Sequence, residues 1–237
     1  MFCIKIADLS VGIDNRYSFV RRLCRGYETK DPPAFTVRVT EQEITKEQNG
    51  EARFSRGYCE SLCIYRKLCC RLAGYDAFLM HAAVVAVDDA AYVFAAPSGT
   101  GKTTHIRLWM KTFGDRARVI NGDKPVFRFM DGILYACGTP WQGKERMGHN
   151  EMCPVRAVCF LERGEENRIR RLDQAEVNGR IFHQLLIPKD EQEFNCFWTL
   201  LERMTAKTPF YLLQCNREPE AARLAYETMR RKEYAED

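Results

Sequence analysis

The sequence predicts an α/β protein built around a mixed β-sheet, preceded by a small β-rich N-terminal portion. From residue 57 onward, short apolar runs typical of buried strands alternate with amphipathic segments typical of helices. The turn residues Asp88-Asp89 and Asp131-Gly132 each separate two apolar runs, which indicates hairpins and therefore antiparallel pairs within that sheet. These observations divide the chain into residues 1–56 and residues 57–237.

Length and composition agree with this class. The chain has 237 residues, of which 46% are apolar and 29% are charged, so we expect one enlarged domain or one domain with an appendage. The net charge of +4 is small and spread along the chain, so nucleic acid is not an expected partner. No stretch approaches the run of roughly 18 apolar residues that a membrane span requires, so a membrane is not an expected partner either.

The first residues and the cysteines predict a reducing compartment. The N-terminus contains Lys5 and Asp8 and lacks the apolar core of a secretory signal, so we expect a cytoplasmic protein. Its 11 cysteines are then expected to be free thiols. Four of them lie in one predicted helix, which cannot surround a single ion, so buried thiols are favoured over a metal site. These four are Cys59, Cys63, Cys69 and Cys70.

Apolar runs and polar clusters define the elements of the N-terminal portion. The predicted strands are CIKI (3–6), FTVRV (35–39) and ARFS (52–55), and the predicted turns are KDPP (30–33) and QNG (48–50). Residues 57–72 predict a helix, because Ile64, Leu68 and Leu72 recur at helical spacing.

Strands and helices then alternate to the end of the chain. FLMHAAVVAV (78–87) and AYVFAA (91–96) predict strands, and a glycine-rich loop leads from the second strand into the helix THIRLWMKTF (104–113). ARVING (117–122) predicts a strand, PVFRFM (125–130) and ILYACG (133–138) a hairpin, and VRAVCFLER (155–163) a further strand. Residues 168–186 predict a strand and a helix, 191–204 a helix, 210–215 a strand and 218–232 a charged terminal helix.

The loop between the second strand and its helix carries the strongest motif. Residues 96–103, APSGTGKT, match a phosphate-binding loop with alanine in place of the first glycine. Glycines let consecutive backbone N–H groups curl around a phosphate, and the following helix points its positive end at the same anion. Lys102 would reach the β- and γ-phosphates, and the Thr103 hydroxyl would ligate Mg²⁺. The predicted ATP-binding residues are Ser98, Gly99, Thr100, Gly101, Lys102, Thr103 and Thr104.

A carboxylate follows on the next strand. Asp123 comes directly after VING, at the strand end where an aspartate that binds the metal is expected. It could ligate Mg²⁺ directly or through water, or act as the base on an attacking hydroxyl. The alternative is a turn residue that caps the end of the strand.

At these residues the chain resembles the phosphoenolpyruvate carboxykinase-like P-loop superfamily, which includes HPr kinase/phosphorylase. Residues 98–104 are similar to the phosphate loop of ATP-dependent carboxykinases. Met80-His81 resembles the Met-His-Gly of HPr kinases, with Ala82 in place of glycine. Residues 138–144, GTPWQGK, resemble a feature of small bacterial HPr-kinase-related proteins. The resemblance extends over residues 75–215 and implies a mixed-sheet P-loop core.

The resemblance also implies roles for single residues. His81 would lie beside the γ-phosphate and take part in proton transfer, although it could equally be a satisfied core histidine. Lys124, where HPr kinases have arginine, would stabilise transferred charge, or else be a solvated lysine. Trp141 and Lys144 lie in a Gly/Pro-rich loop, where binding residues concentrate, and are candidates for contact with the acceptor. His105 is a weaker candidate for contact with the nucleotide.

One departure from the family bears on catalysis. Both relatives carry two adjacent aspartates where this chain has Gly122-Asp123. In the family one acid serves the metal and the other takes the proton of the acceptor serine. Either Asp123 does both, or another group such as His81 takes the proton, or the chain binds ATP without efficient turnover.

The sequence therefore favours an ATP- and Mg²⁺-dependent kinase that transfers the γ-phosphate to a hydroxyl of a peptide, a protein or a small molecule. The alternative is a nucleotide-binding regulatory or partner-binding module with little catalysis, which Gly122 favours. A phosphoenolpyruvate carboxykinase is disfavoured because those enzymes are much longer, and a nucleic-acid-dependent ATPase because the charge is mild. The sequence leaves open whether the chain forms a homo-oligomer.

Overall fold

The N-terminal part of the chain forms a four-stranded sheet flanked by short helices. In the computed structural model, which describes residues 1–51 and 53–231, the strands have the order β3-β1-β2-β4. The strands are β1 (Phe2–Ile6), β2 (Leu9–Asp14), β3 (Glu28–Thr29) and β4 (Phe35–Arg38), and the helices are α1 (Ser18–Leu23) and α2 (Glu41–Gln48). Alternate residues of the β1–β2 hairpin, such as Ile4 and Val11, are buried against the core.

The predicted strands CIKI and FTVRV are confirmed, but the predicted strand ARFS is wrong. Ala52 lies outside the described residues, and Arg53 and Phe54 form a turn. Ser55 begins the next helix, α3 (Arg56–Leu72), because its hydroxyl accepts the backbone N–H of Tyr58. The predicted helix over residues 57–72 is confirmed.

Helix α3 connects the N-terminal sheet to the rest of the protein. Ile64, Leu68 and Leu72 are buried in one core with the N-terminal sheet, with Leu79 and with Trp141. Three of the four cysteines in α3 are buried and Cys70 is half-buried, which agrees with the expectation of buried thiols. The predicted division between residues 56 and 57 falls at the first turn of this helix and stays a prediction.

Within the described residues, the second sheet has nine strands and is mixed. The strands are β5 (Ala77–Leu79), β6 (Ala83–Val87), β7 (Ala90–Ala95), β8 (Ala117–Asn121), β9 (Val126–Met130), β10 (Ile133–Cys137), β11 (Met152–Arg163), β12 (Arg168–Arg171) and β13 (Phe210–Cys215). Strand β11 is parallel to β7 and β13 but antiparallel to β10. The predicted α/β class with a mixed sheet is confirmed.

Helices cover both faces of this sheet. They are α4 (Lys102–Phe113), α5 (Gln174–Ile181), α6 (Glu191–Lys207) and α7 (Pro219–Met229). Val85 of β6 points into a core with α4 and α7, whereas its neighbour Val84 points into a core with α5 and α6. The terminal helix predicted over residues 218–232 ends at Met229, and Lys232 lies outside the described residues.

The segment FLMHAAVVAV forms two strands rather than the single strand predicted. The backbone N–H of His81 donates to the carbonyl of Gln184 at 2.6 Å, and Met80 forms an isolated bridge with Leu185. Residues 80–82 therefore leave the sheet, β5 pairs with β9, and β6 pairs with β7 and β8. The hairpins at Asp88-Asp89 and Asp131-Gly132 are confirmed.

Within residues 1–51 and 53–231, none of the helices has the length and apolar character needed to cross a membrane.

Candidate functional site

The glycine-rich loop joins the end of β7 to the start of α4. Gly99 and Gly101 have φ angles of +81° and +129°, so both positions favour glycine for the backbone conformation. A Cβ at either position would meet no described residue within 4 Å. The guanidinium of Arg163, at the end of β11, donates to the carbonyls of Gly99 at 2.5 Å and Thr100 at 3.2 Å. The loop is thus held from one side and has open space beside its glycines.

The first turn of α4 faces the same space. The helix begins at Lys102, and its N-cap residue Gly101 has no side chain with which to bond the first N–H groups. Thr103 and Thr104 lie in this first turn and line the same cleft as the glycines. A helix terminus of this kind is an anion-binding element.

Lys102, His81 and Asp123 form a hydrogen-bonded chain at this helix terminus. Nζ of Lys102 donates to the carbonyl of Ala96 at 2.7 Å and lies 3.0 Å from Nε2 of His81. Nδ1 of His81 lies 3.1 Å from the carbonyl oxygen and 3.3 Å from a carboxylate oxygen of Asp123. Nζ of Lys124 lies 4.0 Å from the other carboxylate oxygen of Asp123. Four residues singled out in the sequence, Lys102, His81, Asp123 and Lys124, therefore meet in one place.

The protonation of this chain follows from burial and charge. Burial and the charge of Lys102 lower the pKa of His81, with Asp123 acting in the opposite direction. Burial also lowers the pKa of Lys102, again opposed by Asp123. A neutral His81 that donates from Nδ1 to Asp123 and accepts at Nε2 from Lys102 satisfies every contact in the chain. One N–H of the Lys102 ammonium is then left for a ligand.

A buried amide, which the sequence analysis did not single out, shapes the turn that carries Asp123. Asn121 is fully buried, and its Oδ1 accepts the backbone N–H groups of Asp123 at 2.9 Å and Lys124 at 2.7 Å. Its Nδ2 donates to Thr139, whose hydroxyl in turn donates to the carbonyl of Lys124 at 2.7 Å. Asn121 and Thr139 therefore fix the direction of the turn. Asparagine before a tight turn was the available sequence signal.

Two glycines pack closely around the same turn. A Cβ at Gly122 would lie 3.2 Å from the carbonyl oxygen of Met147, which already accepts the Gly122 N–H at 2.8 Å. A Cβ at Gly143 would lie 2.9 Å from Cβ of Asp123, and Gly143 has a φ of +75°. The space that a second acid would need at position 122 is thus bounded by the backbone of the neighbouring loop.

These elements enclose one cleft of about 850 Å³. The residues predicted as site residues that line it are His81, Ser98, Gly99, Gly101, Lys102, Thr103, Thr104, Asp123, Lys124, Trp141 and Lys144. Thr100 lies in the same loop but lines a separate cavity of about 440 Å³ together with Leu108 and Arg163. The structure thus brings all the predicted site residues except Thr100 and His105 to one cleft.

Trp141 and Lys144 lie in the loop that follows β10. Trp141 is buried, its indole N–H donates to the carbonyl of Ser61 at 3.2 Å, and its ring contacts that of Tyr65. Nζ of Lys124 lies 5.2 Å from the Tyr65 ring centroid. Lys144 is exposed at the rim of the cleft. Trp141 therefore also has a packing role between this loop and α3.

His105 lies in the core beneath the loop. It is buried against Phe94, and its Nε2 accepts the indole N–H of Trp109 at 2.9 Å. Burial lowers the pKa of His105 to about 3, so it is neutral near pH 7. These contacts give His105 a packing role in the core.

The donor set fits Mg²⁺ better than a metal held wholly by protein. Within residues 1–51 and 53–231, no three His, Cys, Asp or Glu side chains are grouped to hold a metal ion. Thr103 and Asp123 offer one hydroxyl and one carboxylate to the same cleft. Mg²⁺ commonly takes one or two protein oxygens and completes its shell with water and phosphate.

The comparisons with known proteins are limited to fold. No family model and no curated protein matches the chain. Among solved structures, the chain is similar to the HPr(Ser) kinase/phosphatase from Coxiella burnetii, with 10% sequence identity and a TM-score of 0.39. That similarity covers 64% of this chain and 95% of the other. At this identity and TM-score it establishes neither a family nor a function, and membership of a family stays a prediction.

Proposed function

We propose that this chain is an ATP- and Mg²⁺-dependent kinase that transfers the γ-phosphate of ATP to a hydroxyl group, either of serine in a peptide or protein or of a small molecule. The observation that carries the proposal is the chain of Lys102, His81 and Asp123 beside the glycine-rich loop. A site with a held loop, a helix terminus, a free ammonium N–H and one carboxylate contains the parts that phosphoryl transfer needs.

The glycine-rich loop and the first turn of α4 would bind the phosphates. Gly99 and Gly101 leave room for the anion beside the backbone, and the first turn of α4, whose N–H groups lack helical partners, lines the same cleft. Lys102 is buried and is oriented by Ala96 and His81. A lysine held in this way presents its charge at a fixed position, which is what stabilisation of a transferred phosphoryl group requires.

Thr103 and Asp123 would hold Mg²⁺, which when bound neutralises charge on the phosphate oxygens. Asp123 is also the better candidate for the base. Both ring nitrogens of His81 have protein partners, at 3.0 and 3.1 Å. One carboxylate oxygen of Asp123, in contrast, has Nζ of Lys124 only at 4.0 Å, which is longer than a hydrogen bond. We therefore assign proton removal from the acceptor to Asp123 and assign His81 a positioning role.

The decisive experiment measures transfer of labelled γ-phosphate to free serine and to serine-containing peptides. We expect transfer by the unchanged protein and a loss of at least about 100-fold in Lys102→Ala and in Asp123→Asn. Matched controls are Lys111→Ala, at the far end of α4, and Asp115→Asn just after that helix, because both residues are exposed outside the cleft. Equal losses in these controls would contradict the assignment.

A nucleotide-binding regulatory module is the second candidate, and a specific observation favours it. Gly122 stands where the resembled family has a second acid, and the carbonyl of Met147 bounds the space for any side chain there. The same experiment separates the two functions. Binding of ATP with Mg²⁺ but no transfer to any acceptor favours the module, and failure to bind the nucleotide contradicts both.

A further inference from the structure

The cleft has an apolar wall that the proposed chemistry does not use. Besides the loop, the lysine and the aspartate, it is lined by Phe19 and Leu23 of α1 and by Tyr58 and Leu62 of α3. The rings of Phe19 and Tyr58 meet edge to face with centroids 6.2 Å apart. All four side chains are only partly buried, and Tyr58 is 38% exposed. These four residues, called the apolar wall below, come from a part of the chain that the resemblance does not cover.

A buried carboxylate holds α1 in this position. Glu60 of α3 is fully buried, and its two oxygens accept the backbone N–H groups of Arg16 at 2.5 Å and Tyr17 at 2.9 Å. These groups immediately precede α1, so Glu60 fixes the start of that helix from a different element. A buried polar group is costly unless it is hydrogen-bonded. Both oxygens of the Glu60 carboxylate accept hydrogen bonds, and these bonds hold the start of a six-residue helix in place.

A glycine completes the attachment of α1 to α3. A Cβ at Gly57 would lie 2.6 Å from Cβ of Phe19 and 3.2 Å from Cβ of Tyr17. The two helices therefore approach more closely than any side chain at position 57 would allow. Glu60 and Gly57 together give Phe19 and Leu23 a fixed position in the wall of the cleft.

The wall and the phosphoryl-transfer residues lie in one continuous cavity. Lys124 and Trp141 line it between the carboxylate of Asp123 and α3, since Trp141 bonds Ser61 and Lys124 approaches Tyr65. A hydroxyl placed at Asp123 would therefore share one cavity with partly exposed aromatic and aliphatic side chains. Partly exposed apolar side chains that line a cavity beside convergent polar groups are the usual composition of a ligand site.

We propose that the acceptor carries an aromatic or aliphatic group next to its hydroxyl, and that the apolar wall binds this group. The inference rests on the proposed kinase function, because it names the class of acceptor for that same site. In this proposal, the N-terminal part of the chain selects the acceptor. Glu60 is a positioning residue in this scheme, since it acts through α1.

The experiment compares two acceptors that differ only beside the serine. The probes are N-acetyl-Phe-Ser-Phe-amide and N-acetyl-Gly-Ser-Gly-amide. We expect kcat/KM for the phenylalanine peptide to exceed that for the glycine peptide by about tenfold or more, because an apolar ring leaves water. In Leu23→Ala and Glu60→Gln this ratio falls several-fold through KM, whereas Ile133→Ala, an exposed apolar residue outside the cleft, retains it. Tyr58→Ser replaces Leu23→Ala if that variant does not fold.

A binding measurement without ATP separates this inference from the proposed function. Calorimetry with the two peptides is run on the unchanged protein and on Leu23→Ala. Transfer to both peptides with equal kcat/KM overturns the acceptor inference and leaves the kinase proposal intact. Absence of transfer combined with tighter binding of the phenylalanine peptide that depends on Leu23 overturns the kinase proposal and supports the apolar wall. Equal binding of both peptides to both proteins contradicts the wall.

Discussion

Two basic side chains in the site, Lys102 and His81, share a hydrogen bond that requires one of the two groups to be neutral. Nε2 of His81 accepts from the Lys102 ammonium only when the imidazole is neutral. Burial and the Lys102 charge both lower the pKa of His81 and so preserve that pattern near pH 7. The neutral ring then leaves its N–H for Asp123, and each of the three groups orients the next.

A second histidine makes the stability of the protein sensitive to acid. Burial lowers the pKa of His105 to about 3 in the folded state, against about 6.5 in an unfolded chain. Between these values the unfolded state binds a proton that the folded state does not, so stability is lost as the pH falls below about 6.5. From pH 7 to pH 5 we expect this residue to lower the free energy of unfolding by on the order of 2 kcal/mol.

Chemical denaturation at pH 7 and pH 5 measures this effect in the unchanged protein and in His105→Gln. Glutamine retains an acceptor for the indole N–H of Trp109 and does not titrate. The difference between the two pH values should therefore shrink by that amount in the variant. His183→Gln, at an exposed histidine, is the control. An unchanged pH difference in His105→Gln would refute the assignment.

Some residues of the site could be predicted from the sequence, and others could not. The spacing of the glycine-rich loop and the place of Asp123 after a strand were visible, because both depend on local chemistry along the chain. Asn121 and Thr139 were not singled out, since their roles depend on contacts across 18 residues. The burial of Trp141 likewise involves a contact with Ser61, which lies 80 residues away.

At the scale of elements, a local helix cap is visible in the sequence, whereas a cap supplied by a distant residue is not. Helix α2 has a capping box formed by Thr40 and Glu43, a pattern that the sequence contained and the prediction overlooked. The N-terminus of α1 depends on Glu60, more than 40 residues away, so no neighbouring residue indicates its start. The break at His81 depends on Gln184 and was hidden for the same reason.

The glycine-rich loop depends on an element beyond its own strand and helix, and this leads to a prediction. Arg163 at the end of β11 donates to two consecutive carbonyls of the loop, at Gly99 and Thr100. Lysine at this position lacks the planar fork that reaches both. We expect Arg163→Lys to weaken binding of ATP with Mg²⁺ about fivefold, the equivalent of one hydrogen bond, with little change in thermal stability.

Calorimetric titration gives the dissociation constant directly. The matched control is Arg168→Lys, because Arg168 forms an exposed ion pair with Glu166 away from the loop. If Arg163→Lys binds the nucleotide as tightly as the unchanged protein, the loop does not need its support. If both variants weaken binding equally, the effect does not come from the hydrogen bonds between Arg163 and the loop.

At the scale of the whole molecule, α3 joins the two sheets into one functional unit. It shares a core with the N-terminal sheet, with β5 and with Trp141, and it carries the side chains that fix α1 beside the cleft. One side of the cleft is thus formed by the glycine-rich loop and Asp123, which follow strands of the second sheet. The other side is formed by α1 and α3, which pack on the first sheet. A complete cleft therefore requires both sheets to be folded.

This architecture predicts that the nucleotide stabilises the whole chain. A ligand that binds only the folded state at 100 times its dissociation constant adds about 2.7 kcal/mol to the free energy of unfolding. For a chain of this length that corresponds to a rise in Tm of roughly 5–10 °C. Lys102→Ala removes the ammonium that would face the phosphates, and Asp123→Asn removes the carboxylate that would hold Mg²⁺, so both variants should lose most of the rise.

Thermal unfolding with ATP and Mg²⁺, with ATP and EDTA, and without nucleotide measures the effect. The rise should need Mg²⁺ and should persist in Lys111→Ala, since that lysine lies at the last turn of α4. The measurement applies equally to a kinase and to a regulatory module, because it concerns binding and not transfer. An equal rise in Lys102→Ala and in the unchanged protein would mean that the nucleotide binds elsewhere. That result would contradict both the kinase and the regulatory module as functions of this cleft.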